Sequence, residues 1–106
     1  MPKYLWCVSY STEGVKGVLK EGGTGRREAV EKLAADLGAT IESFHFSFGE
    51  DDAYVIVDIP DNTTAAAISL AVAGVGAARV KTVVLMTPEE IDEATKMSIT
   101  YRPPGK

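Results

Sequence analysis

At 106 residues the chain has the size of one domain, whose core can bury roughly two-thirds of the surface that the unfolded chain exposes. Its formal charge of −4 removes the long-range attraction to a phosphate backbone that dominates nucleic-acid affinity, so no nucleic-acid partner is expected. A single cysteine, Cys7, excludes an internal disulfide and with it a secreted disulfide scaffold, which makes reducing cytoplasm the expected setting.

Membrane association is not expected either. The first ten residues hold too short an apolar stretch for a signal peptide. The longest apolar-rich segment, Ala65 to Ala78, is interrupted by Ser69, Gly74 and Gly76 and falls short of the ~20 residues a crossing needs.

Tyr4 to Tyr10 alternates aromatic or branched residues with smaller ones, the period of a strand, and Ser11-Thr12-Glu13-Gly14 then offers a turn and a helix cap. Val15, Val18 and Leu19 stand at helical spacing, as do Val30, Leu33 and Leu37, but Gly22-Gly23-Thr24-Gly25 separates the two sets. Each glycine costs about 1 kcal/mol against alanine in a helix. The pattern therefore predicts a short helix from about Glu13, an irregular link, and a longer helix from about Arg26 that ends at Gly38.

Thr40 to Phe48 sets Ile41, Ser43, His45 and Ser47 against Glu42, Phe44, Phe46 and Phe48, a strand with one aromatic face. Gly49-Glu50-Asp51-Asp52 has the composition of a hairpin turn, and Ala53 to Ile59 is the β-branched returning strand. Asp61 is the expected N-cap of a second helix running to the glycines at 74 and 76. Ala78 to Met86 reads as the last strand. Thr87-Pro88-Glu89-Glu90 matches a capping box with proline at the first helical position, so a third helix follows to about Met97. Residues 1–97 thus form one domain of order β-α-β-β-α-β with an added helix, and 98–106 form a tail.

Two right-handed β-α-β units sharing a hairpin give an α+β, ferredoxin-like, four-stranded antiparallel sheet with both helices on one face. A second face exposed to water would alternate apolar with strongly polar residues. Tyr54-Val55-Ile56-Val57 and Val83-Val84-Leu85-Met86 are apolar at consecutive positions, hence on both faces. An uncovered apolar face of several hundred Å² usually marks an interface. The simplest cover is a second copy packed sheet to sheet, and the alternative is the third helix folded across the sheet.

Pro2-Lys-Tyr-Leu5, the stretch from Thr12 to Leu33 and Pro60-Asp-Asn-Thr-Thr-Ala-Ala-Ala67 resemble the GYD-domain family over about residues 2 to 94. The family's Gly, Tyr, Asp motif matches Phe48-Gly49-Glu50-Asp51-Asp52, which keeps Gly49 and Asp52 but places Asp51 where the family tends to have tyrosine. The resemblance implies a ferredoxin-like fold of the dimeric α/β-barrel kind and implies no activity. Related barrels include monooxygenases, isomerases and ligand-binding domains, so the fold favours none of them.

The candidate chemistry is sparse. His45, the lone histidine, lacks the companions of a metal site but could act as a general base; its plainer role is a packed strand residue. Which face it occupies depends on the hairpin loop length. Gly22 to Arg27 has the features of an anion site, with Arg26 and Arg27 as its cations; the plainer reading is a helix break with both arginines solvated or paired to Glu28 and Glu31. Glu50, Asp51 and Asp52 could hold a hard cation, though aspartate suits a turn, and Asp52 keeps weight as the motif position.

Arg79 and Lys81 share a strand face and could bind an anion or simply stand as rim charges. Trp6 and Tyr10, with Tyr4, form an aromatic stripe that is either core or interface, or else a platform for a flat ligand, with His45 beside it. No residue pattern calls for a metal or a cofactor. The leading expectation is a homodimer that binds a small molecule. The alternatives are a cofactor-independent enzyme, oxygenase or isomerase in type, with His45 as base, and a purely structural assembly module.

Overall fold

The structure is a computed structural model that describes all 106 residues. Its elements are β1 (Lys3–Tyr10), α1 (Thr12–Asp36), β2 (Thr40–Phe46), β3 (Ala53–Asp58), α2 (Asn62–Val75), β4 (Ala78–Leu85) and α3 (Pro88–Thr95). The strands form one antiparallel sheet in the order β2-β3-β1-β4, the α+β, ferredoxin-like arrangement that the element order dictates.

Both long helices lie on the same face. Tyr4, Trp6 and Val8 of β1 and Ala53, Val55 and Val57 of β3 form a single core with Ala34 of α1 and with Ala65 and Ile68 of α2. Val55, Val57 and Ile59 are essentially inaccessible to solvent. Removing an aliphatic side chain of that size from water contributes about 1.5–3 kcal/mol, so this layer is the main source of stability.

The expected irregular link between two helices is corrected to a kink at one residue. Gly22 alone leaves the helix, at φ 79° and ψ 169°, while Gly23, Thr24 and Gly25 remain helical. A positive φ is open to glycine at little cost. Gly23 lies against the Phe46 ring, where a Cβ would stand 3.1 Å from a ring carbon. Close seating of the second half of α1 on β2 thus outweighs the weak helix propensity of the glycines.

Local signals at the other helix ends act as their chemistry requires. The Asp61 carboxylate accepts from the Thr64 N–H at 2.8 Å and caps α2, which ends on Gly76 in the left-handed region. Thr87 and Glu90 form a reciprocal capping box around Pro88 at the start of α3. At the β1–α1 corner the Ser11 N–H donates to the Ala77 carbonyl at 2.9 Å. A Cβ on Gly14 would lie 2.0 Å from that same oxygen, so only glycine fits there.

The third helix does not fold across the sheet. None of its residues is buried, and Ile91, Met97, Ile99 and Tyr101 all stand largely exposed. A radius of gyration of 17.0 Å, against about 13 Å for a compact domain of this length, reflects that projecting end. No helix is long and apolar enough to cross a membrane.

Candidate functional site

Strand register assigns each candidate side chain on a strand to one of two faces. Trp6 pairs with Val55 and Thr82, and Val55 pairs with Phe44, so this row belongs to the helix-covered face. Cys7 pairs with Tyr54 and Lys81, and Tyr54 pairs with His45, so that row belongs to the open face. His45 therefore stands exposed on the side of the sheet away from Trp6 and Tyr10. The combined site of His45, Trp6 and Tyr10 that the sequence suggested is not built.

A break in register between Ile41 and Ser43 helps set these positions. The bulge lets Ile41 pack on the core side with Phe44 while Glu42 reaches Lys3, with 3.2 Å between its carboxylate and the ammonium. Lys3 also meets Asp58 at 3.0 Å, and hydrogen bonding to these carboxylates, Asp58 first, raises its pKa above the ordinary lysine value.

On the covered face a cavity of about 70 Å³ opens between the sheet and the two long helices. Trp6, Val8 and Tyr10 of β1 form its floor with Val55, Phe44, Ala78 and Val80; Val30 and Leu33 of α1 and Ile68 and Val72 of α2 close it above. Arg26 is its one charged residue.

The polar groups of β1 differ along the strand. The Tyr4 hydroxyl donates to the Asn62 side chain and so fixes the start of α2. Trp6 is only 4% exposed, and its indole N–H is buried with no acceptor in the protein. An unmet buried donor of this kind costs about 1–3 kcal/mol. Tyr10 is half-buried; desolvation raises its phenol pKa, opposed by Arg26 and assisted by Asp52 and Glu21, so the hydroxyl stays protonated at neutral pH.

Around Tyr10 the cavity meets two wider hollows. One, of about 230 Å³, is bounded by Tyr10, Gly14, Glu21, Arg26, Val72 and Ala78; the other, of about 390 Å³, by Tyr10, Val15, Leu19, Phe46, Phe48 and Asp52. Arg26 meets Glu21 through one contact at 3.4 Å. These residues are five apart and become neighbours because Gly22 kinks the helix between them, a proximity that helical spacing does not suggest. Asp52 accepts from the Tyr10 backbone N–H at 2.8 Å, and its own N–H donates to the Val8 carbonyl at 2.7 Å. The motif aspartate thereby ties the hairpin to the end of β1 and fixes Tyr10.

The remaining candidates lie elsewhere. Arg27 is exposed and faces Glu31 at 3.9 Å, the helical pairing expected of a solvated residue. With Gly23 to Gly25 helical there is no glycine loop to cradle an anion. Arg79 and Lys81 border a polar hollow on the open face with Cys7, Ser9, Glu50 and Asp51. Asp51 accepts from Ser9 at 3.1 Å and from the Tyr54 hydroxyl at 3.2 Å, so the turn carboxylates diverge: Asp51 serves the open face and Asp52 the strand end.

Four sequence candidates, Trp6, Tyr10, Arg26 and Asp52, are thus gathered at one end of the covered face, and His45, Arg27, Arg79 and Lys81 are not. The helix residues that close the cavity, Val30, Leu33, Ile68 and Val72, read in the sequence only as core positions. Nothing in the spacing distinguishes a core contact from a cavity wall.

The fold and this cleft define a ferredoxin-like α+β domain with an apolar recess beneath its helices. Residues 4–95 match the sequence model of the GYD domain, and the chain belongs to that family. No curated protein and no solved structure matches it.

Proposed function

We propose that this GYD-domain protein is a cytoplasmic homodimer of the α/β-barrel type that binds a small molecule in the recess between the sheet and its helices. The observation that carries the reading is an apolar recess of about 70 Å³ whose lining includes one cation, Arg26, beside the half-buried Tyr10. Small-molecule sites combine such apolar walls with a few converging polar groups, and here Tyr10 and Arg26 supply them.

The second copy is needed by the other face. Leu5, Ile56 and Val83 form an apolar centre there, between the row of Lys3, Asp58 and Leu85 at one end and Arg79 and Lys81 toward the other. Isologous packing of two such faces covers both centres at once and closes the barrel.

Native mass spectrometry of freshly purified protein tests both parts. A dimer carrying a retained mass that is lost on denaturation is expected. A lone subunit at high concentration would overturn the assembly. A dimer with no retained mass, whose single tryptophan keeps the same emission through dialysis against a small-molecule extract, would overturn the binding role.

A further inference from the structure

The polar groups that reach the recess share one property, which points to the chemistry of its occupant. The Arg26 guanidinium can only donate hydrogen bonds, and the Tyr10 phenol donates as well. No carboxylate lines the inner cavity. Glu21 belongs to the outer hollow, and its single 3.4 Å contact leaves most of the five guanidinium donors of Arg26 free.

A group that meets several converging donors, one of them permanently cationic, must offer several acceptors and a negative charge. A carboxylate does both, and Arg recognises its two oxygens in parallel. Size sets the remainder of the molecule. The inner cavity, about 70 Å³, is under half of the ~150 Å³ that accommodates benzene in a closed apolar core. A short branched aliphatic tail fits it better than a ring.

Resting on the proposed binding role, we infer that the recess takes a small aliphatic monocarboxylate, its tail between Val30, Leu33, Ile68 and Val72 and its carboxylate at the mouth on Arg26 and Tyr10. Arg26 then exchanges part of its contact with Glu21 for the ligand. That ion pair bridges the Gly22 kink.

The test uses three probes with the same tail and different heads: 3-methylbutanoate, 3-methyl-1-butanol and 3-methylbutylamine. Trp6 is the only tryptophan, so its emission and its indole N–H resonance report on the recess without labelling. The acid is expected to bind at least about tenfold more tightly than the alcohol, with the amine weakest, since a hydrogen bond to a charged group is worth that factor or more. Arg26→Gln, at the partly exposed mouth, should abolish the preference for the acid over the alcohol. Tyr10→Phe, which removes the phenol donor and leaves the ring, should weaken the acid while the melting temperature shows that the fold is kept.

Equal or tighter binding of the alcohol or the amine would overturn the carboxylate inference and leave the binding role standing. An Arg26→Gln variant that keeps the full preference for the acid would also overturn it. If none of the three probes moves the Trp6 signals, the carboxylate inference falls, while the binding role is decided by the native mass spectrum.

Discussion

The two faces of the sheet are built from the same strands, yet they present opposite solutions to burying apolar residues. On the covered face, Val55 and Val57 are almost inaccessible beneath two helices whose ends are capped by Ser11, Asp61 and Gly76. On the open face, Tyr54 and Val83 remain more than a third exposed, and charged residues stand at both ends of the apolar centre. A face that closes within the chain can leave a recess, because the helices span it without filling it. A face that waits for a partner must stay flat and self-complementary. On the proposed reading, this difference gives binding to one side of β1 and assembly to the other.

The sharpest way to break this comparison is to place the same charge on each side. Val55→Asp buries an uncompensated carboxylate in the core and should cost about 3–5 kcal/mol, a large share of the stability of such a domain. Urea titration followed by circular dichroism should show the chain largely unfolded or its midpoint sharply lowered. Val83→Asp should leave the far-ultraviolet spectrum of the subunit intact and halve the mass seen by sedimentation. A Val83→Asp variant that stays dimeric would exclude the open face as the interface, and a Val55→Asp variant of unchanged midpoint would contradict the core.

A smaller effect tests the corner that aligns the two faces. Gly14 lies so close to the Ala77 carbonyl that any side chain must push β4 away from the start of α1. Gly14→Val should cost about 1–3 kcal/mol, the range for overpacking. The damage falls next to Tyr10 and Ala78, so the Trp6 emission should shift even where the protein remains folded. A variant with wild-type midpoint and emission would show that the corner relaxes freely.

How much of this arrangement was legible in the sequence depends on the range of the interaction. Asp61, the Thr87–Glu90 box and the period-2 strands act over a few residues, and each is where its chemistry placed it. The interruption at Gly22 to Gly25 was overestimated, because helix propensity is a local term and the seating of Gly23 on Phe46 is not. His45 was ambiguous for a different reason. Its face follows from the parity of the hairpin loop and from the bulge near Ser43, and one residue more or less reverses it. Arg26 was distinguishable from Arg27 only through the kink, which turns one arginine toward the recess and leaves its neighbour in solvent. The recess itself is a packing defect shared by six elements, and no single stretch of sequence encodes it.

The smallest predicted effect concerns the seat of α2 on the covered face. Asp61 accepts from the Thr64 N–H, and that bond holds its pKa below the ordinary aspartate value. A depressed native pKa means that the folded state binds this proton less readily than the unfolded chain. The resulting stabilisation is present above about pH 3.9 and is lost as the pH falls through the depressed native value. Asparagine caps a helix nearly as well as aspartate but does not titrate there. Asp61→Asn should therefore shift the melting temperature by no more than a few degrees at pH 7, while flattening its decline below about pH 4. Asp61→Ala, which removes the acceptor, should lower the melting temperature at neutral pH and flatten the same limb. If the acid limb of Asp61→Asn matches that of the wild type, the cap does not supply the acid sensitivity of the covered face. That sensitivity would then lie outside the cap, and the two faces would differ in packing but not in their response to acid.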